Sequence, residues 1–167
     1  MQLAVEAQNP SGWIVTLVFM KAPFILGRLI FGGYFLYNGM NHFLKTKQMA
    51  QYAGSKNVPK PEIAVTATGA ALVLGGASIL LGVKPKLGAA ALVGFLASVS
   101  PIMHDFWRQE DSNQRMEDMI QFTKNMALLG GTMAFMAVEE PWPASVPVAQ
   151  PSKLARVRKL VRREVCA

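Results

Sequence analysis

Apolar residues along the chain gather into four blocks, 23–43, 63–82, 87–103 and 119–138, with polar segments between them. Each is close to the ~20 residues that a helix needs to cross a bilayer's hydrocarbon core, about 30 Å at ~1.5 Å rise per residue. The pattern predicts an all-α integral membrane protein. Short connections make sequential helices antiparallel neighbours, so the expected architecture is an up-down bundle of four transmembrane helices with a basic C-terminal tail.

The first block carries polar residues at both ends: Arg28 near its start, and Asn38, Asn41 and His42 near its finish. A charge inside a membrane span costs on the order of 3 kcal/mol or more and usually faces protein or a water-filled cavity. Residues 28, 32, 35, 39 and 42 share one face at helical spacing, and other helices are expected to cover it. Upstream, residues 13–20 are also apolar, but joined to the first block they would form a helix too long for one crossing. Lys21 and Pro23 therefore predict a break, with residues 1–22 an interfacial segment anchored by Trp13. The N-terminus lacks a basic n-region and a small-residue cleavage pattern, so it does not read as a cleavable signal.

Residues 44–60 read as a polar loop, ended by Pro59 and Pro61, with Glu62 in the first turn of the next helix. Small residues four apart occur in the second block (Ala67, Ala71, Gly75) and the third (Ala90, Gly94, Ser98). Together with Gly32, Gly39 and Gly131 they are candidate helix-packing positions, where backbones approach closely. Residues 106–118 read as a charged loop. Pro141, Pro143, Pro147 and Pro151 mark an extended linker, after which Ser152 opens a basic amphipathic helix. That helix suits anionic lipid or an acidic partner surface.

The formal charge of +7 and pI near 9.8 could suggest nucleic acid. Much of the surplus lies in the tail, however, and no nucleic-acid motif is present. One cysteine, Cys166, leaves no internal disulfide and no multi-cysteine metal site. Four crossings put both termini on one side. Lys21, Lys84, Lys86 and the tail favour the cytoplasm for that side, although Lys45, Lys47, Lys56, Lys60, Arg108 and Arg115 lie opposite.

This topology brings Asn38, Asn41, His42, Glu62, His104, Asp105, Lys124 and Asn125 to one depth. Three readings of the cluster stay open. One is a satisfied polar layer that fixes helix register. Another is a binding site for a quinone or similar head group, in which these side chains donate to carbonyl oxygens and an imidazole passes protons. The third, a haem or metal held by His42 and His104, is disfavoured because His104 follows Pro101 beside a charged loop and the chain has only two histidines. No metal site is expected. Arg28, near the opposite membrane face, either snorkels or caps neighbouring carbonyls, or else meets an anionic or carbonyl group of a ligand.

An arginine early in the first block, Gly32-Gly33, Asn38-Gly39, His42-Phe43 and Glu62 with LVLGG at 72–76 resemble the DoxX family. So does His104-Asp105-Phe106-Trp107, similar to the family's H-x-F-W. Gln121 to Leu128 with Gly130-Gly131 resembles its F-x-K-N-L-A-L-x-G-G, with Met126 at the usual leucine. The resemblance covers about residues 23–138. It implies a small four-helix protein of the bacterial inner membrane. Some members are similar to the small subunit of thiosulphate–quinone oxidoreductase, and others belong to membrane complexes linking thiol redox stress to oxidoreductases. The paired cysteines of thiol chemistry are absent here, which counts against a self-sufficient thiol oxidoreductase.

The expected function is therefore a membrane subunit of an oxidoreductase system that contacts a quinone while a partner carries the redox centres, with no intrinsic cofactor. His42, His104, Asp105, Lys124 and Asn125 are the candidate ligand-binding residues, supported by Asn38 and Arg28. The alternative is a non-catalytic structural or assembly subunit of a larger membrane complex. Membrane lipids and other membrane subunits are the expected partners.

Overall fold

The computed structural model describes residues 10–147, with side chains from 21 onward; within them it is helical, with no strand. The basic segment expected after Ser152 lies outside the described residues, as does the side chain of Trp13. Helix α1 spans Pro10–Leu44, α2 Thr46–Ser55, α3 Pro61–Leu81, α4 Pro85–Met103 and α5 Ser112–Ala137; a short 3-10 turn, Phe106–Arg108, lies between α4 and α5.

Three expected boundaries are corrected. The break at Lys21 and Pro23 does not occur: α1 runs through both. Proline removes one backbone hydrogen bond and crowds the preceding turn, a local cost that a long helix can absorb. The polar loop 44–60 contains α2, which uses Met49, Ala50 and Ala53 as a narrow apolar face against Val58, Val65 and Met103. And α5 begins within the expected charged loop, because the Asp111 carboxylate accepts from the Gln114 backbone N–H at 2.8 Å and caps it.

Helix ends follow local chemistry. Pro61 and Pro85 open α3 and α4, where a missing N–H costs nothing. Gly82, at φ 68°, closes α3 in the left-handed region that favours glycine. Only Gly82, Val83 and Lys84 separate α3 from α4, which forces the two helices to lie antiparallel.

The most extensive packing is α1 on α3, followed by α4 on α5 and α3 on α4. Residue pairs set the α1–α3 register: Gly32 lies against Gly76 and Leu80, Gly39 against Gly69 and Val73. As the one number rises the other falls, so these helices are antiparallel too. On α1, Arg28, Gly32, Phe35 and Gly39 are all buried, the face that helical spacing marks out. Phe35, Leu72, Ile79, Ala89, Leu92 and Leu96 form the core.

Aromatic rings join α5 to α1 at one end, with Phe31 and Phe135 centred 5.0 Å apart. Residues 139–147 are not an extended linker, as expected, but fold back over this end. Trp142 is buried, its ring 5.3 Å from that of Phe24 and 5.6 Å from that of Phe135. The reason is that the proline-rich stretch carries one large aromatic side chain, and the aromatic end of the bundle buries it.

Candidate functional site

At the other end α1 and α5 are not clamped by rings, and a cavity of about 690 Å³ opens among all five helices. Its inner wall is apolar, with Phe35, Leu72, Phe95, Leu96 and Leu128. Asn38 and His42 come from the last turns of α1, His104 from just past α4, and Lys124 and Asn125 from the middle of α5. Antiparallel packing is what brings these positions together.

The two histidines are held alike. His42 Nδ1 lies 2.9 Å from the Asn38 carbonyl oxygen, one turn back on α1. His104 Nδ1 lies 3.2 Å from Asp118 Oδ1. A carbonyl or carboxylate oxygen only accepts, so Nδ1 carries the proton in both rings. In the neutral ring Nε2 is then a bare acceptor, and among the described residues it has no hydrogen-bond partner in either histidine. Lys124 donates to Gln121 Oε1, and the Asn38 amide donates to the Tyr34 carbonyl at 2.8 Å.

Beside His104 stands a buried charge cluster. Asp118 is only 2% exposed, and its partners come from two separate connections, α2–α3 and α4–α5. His104 bonds to Oδ1; Gln109 Nε2 donates to Oδ2 at 3.0 Å, and Lys56 Nζ lies 3.4 Å from the same oxygen. Lys56 also pairs with Asp105 Oδ1 at 2.6 Å. The Lys56 hydrogen bond holds the Asp105 carboxyl below the usual carboxylate range, although burial works against it. For Lys56, burial pulls the ammonium down, but the bond to Asp105 and the nearby acids outweigh it and leave it raised. Phe106 and Trp107 pack edge-to-face against Phe122 of α5, with ring centres 5.6 and 5.7 Å away, which seats the connection so that Asp105 and Gln109 reach the cluster.

Five of the seven residues singled out as ligand-binding from the sequence therefore line one cavity: Asn38, His42, His104, Lys124 and Asn125. Asp105 stands behind His104 in the charge cluster, outside the lining. Arg28 is elsewhere, fourteen residues or about 21 Å along α1 from His42. It is buried and donates to the carbonyls of Pro143 at 2.8 Å and Ala144 at 2.9 Å, capping backbone of the folded-back segment. Glu62 is exposed, and neither it nor Asn41 lines the cavity.

Among the packing candidates, Gly32 and Gly39 touch α3 and Gly75 touches α4, while a Cβ at Gly131 would stand 3.4 Å from the Phe31 ring. A Cβ at Gly94 would meet nothing within 4 Å, and Gly94, Ala90 and Ser98 are exposed; α4 turns Gly88, Ala89, Leu92 and Leu96 inward instead.

Sequence reasoning missed Lys56, Gln109 and Asp118. Asp118 had a readable signal: residues 118, 121, 125, 128 and 132 share one helical face, so an acid sits in line with Asn125. Lys56 had none, being one of four equivalent lysines in a polar segment.

A family model, DoxX, matches residues 24–105 of the chain. No curated protein and no solved structure matches it.

Proposed function

This chain belongs to the DoxX family of membrane proteins, and on that premise we propose that it is a membrane subunit of an oxidoreductase system that binds a quinone-like head group in the cavity between α1 and α5. Its volume lies within the ~300–1,000 Å³ range of small-molecule sites, and an apolar wall with a few convergent polar groups is how such sites are built. The observation that carries the reading is the convergence of His42, His104, Lys124 and Asn125 from three chain segments onto that one space. Lys124 and Asn125 supply donors for a carbonyl oxygen, the histidines exchange protons, and a partner subunit supplies the electron chemistry.

All four long helices are proposed to cross the bilayer. Pro61–Leu81, which is α3, and the stretch Pro85–Arg108 that holds α4 have the length and hydropathy for it. On the others, large apolar side chains point outward, including Ile30 on α1 and Met133 on α5, both more than half exposed. An aqueous bundle would place polar residues there, so lipid is the better solvent for that surface. With both termini cytoplasmic, in a bacterial inner membrane, the cavity lies toward the opposite leaflet. The basic tail is left to bind anionic lipid or an acidic partner surface, and the chain needs no resident cofactor.

The test is equilibrium binding of decylubiquinone to detergent-purified protein, alone and with whatever subunit co-purifies. Saturable binding that weakens about tenfold in Lys124→Ala and Asn125→Ala, roughly the worth of one hydrogen bond of ~1 kcal/mol or more, supports the reading. Absence of binding in both preparations overturns it. The assembly-subunit alternative then takes its place, favoured by the charge cluster, which ties α2, α5 and the α4–α5 connection whether or not a ligand binds.

A further inference from the structure

Resting on that reading, we propose that the cavity selects the head group in its hydroxyl-bearing, reduced form, and that His104, positioned by Asp118, accepts the hydroxyl proton. The inference starts from the anchoring of the two imidazoles. Each spends its Nδ1–H on a wall acceptor, the Asn38 carbonyl for His42 and the Asp118 carboxylate for His104. What each neutral ring leaves over is a lone pair at Nε2. A carbonyl oxygen cannot donate to a lone pair, whereas a hydroxyl can, so two anchored rings favour a quinol over a quinone.

The histidines then differ in what stands behind them. A backbone carbonyl behind His42 fixes the tautomer but carries no net charge. The carboxylate behind His104 fixes the tautomer and also offsets the positive charge that appears when Nε2 gains a proton. The step is a simple transfer: the ligand's O–H bond breaks, an N–H bond forms at His104 Nε2, and the Nδ1–H stays on Asp118. Asp118 is a positioning residue in this scheme, since it does not line the cavity.

Asp118 can hold that role because it is itself held. Gln109 and Lys56 fix Oδ2, leaving Oδ1 aimed at the ring. The charged and titratable groups around His104 are Tyr52 of α2 and Lys56 just after it, Asp105 of the connection, Asp118 and Lys124 of α5, and His42 and Lys45 across the cavity on and just after α1. Of these, Asp118 is the one hydrogen-bonded to the ring among the described residues.

Two measurements test it on the full chain in detergent. Anaerobic binding compares decylubiquinol with decylubiquinone on wild type, Asp118→Asn and Asp118→Glu. Wild type should prefer the quinol by about tenfold; Asp118→Asn should lose that preference, and Asp118→Glu should keep part of it. In parallel, nitrogen-15 NMR of histidine-labelled protein reports each ring's tautomer at alkaline pH. With two histidines in the chain, one His42→Gln sample assigns both signals. His104 should be the Nδ1–H tautomer in wild type and a mixture in Asp118→Asn, with His42 unchanged. Equal affinity for the two forms, or a His104 tautomer indifferent to Asp118, overturns this inference while leaving the cavity as a binding site. Binding of neither form overturns the proposed function, and this inference with it.

Discussion

Replacing Gly76 by alanine sets two opposing effects against each other, and the geometry decides between them. Alanine in a helix interior is worth about 1 kcal/mol over glycine, because glycine loses more backbone freedom on ordering. At Gly76 the added Cβ would stand 2.7 Å from the Leu36 amide nitrogen, 2.8 Å from the Gly32 carbonyl oxygen and 3.1 Å from the Phe35 Cβ. Two of these are backbone atoms of α1, so no rotamer change relieves the clash. The helices must part by ~0.7 Å to restore ordinary contact at about 3.4 Å. A gap of that size forfeits roughly a quarter to a half of the dispersion energy of the atoms involved. Overpacking of this kind costs about 1–3 kcal/mol, and α1–α3 is the most extensive helix pair in the fold. The steric term offsets or exceeds the propensity gain, and Gly76→Ala should destabilise by up to about 2 kcal/mol net.

Gly94→Ala supplies the matching control, since nothing lies within 4 Å of its Cβ position and the propensity gain stands alone. It should be neutral or stabilising by up to about 1 kcal/mol. Unfolding in mild detergent by titrated SDS, followed by far-UV circular dichroism, reads both. If the two variants shift in the same direction by similar amounts, the assignment of Gly76 to a close helix contact is refuted.

Trp142→Ala should cost about 3 kcal/mol, as truncation of a buried aromatic does, and should expose residues 139–147 to limited proteolysis; an unchanged cleavage pattern would show that Trp142 does not hold this segment down. The Lys56–Asp105 tie should give a pH-dependent stability with two edges. Asp105 has a lowered folded-state pKa, so its contribution is present above the unfolded value of ~3.9 and is lost as pH falls through the folded one. Lys56 is raised, so its contribution is present below ~10.4 and is lost as pH rises through the folded value. The stability difference between wild type and Lys56→Met should therefore be flat from about pH 5 to 9 and shrink on both sides; a difference that persists unchanged at pH 2 would rule the tie out.

The helical class, the apolar blocks, the buried face of α1 and the clustering of polar side chains from α1, α5 and the segment after α4 were all legible in the sequence. These properties depend on residue type and helical period, which act over a few turns of one helix, and on short connections that dictate antiparallel order. Arg28 shows where such reasoning stops. Its burial was readable from its place on the face, but its partners, the carbonyls of Pro143 and Ala144, lie more than a hundred residues away and depend on where Trp142 finds an apolar surface. The same holds for Gly94, whose small-residue spacing matches that of packing glycines although α4 presents a different face to its neighbours. Lys56, Asp105, Gln109 and Asp118 meet only because the α2–α3 and α4–α5 connections come together beside α5. Pairing among charges distant in sequence is a property of packing, so only the tertiary structure could decide which acid holds which histidine.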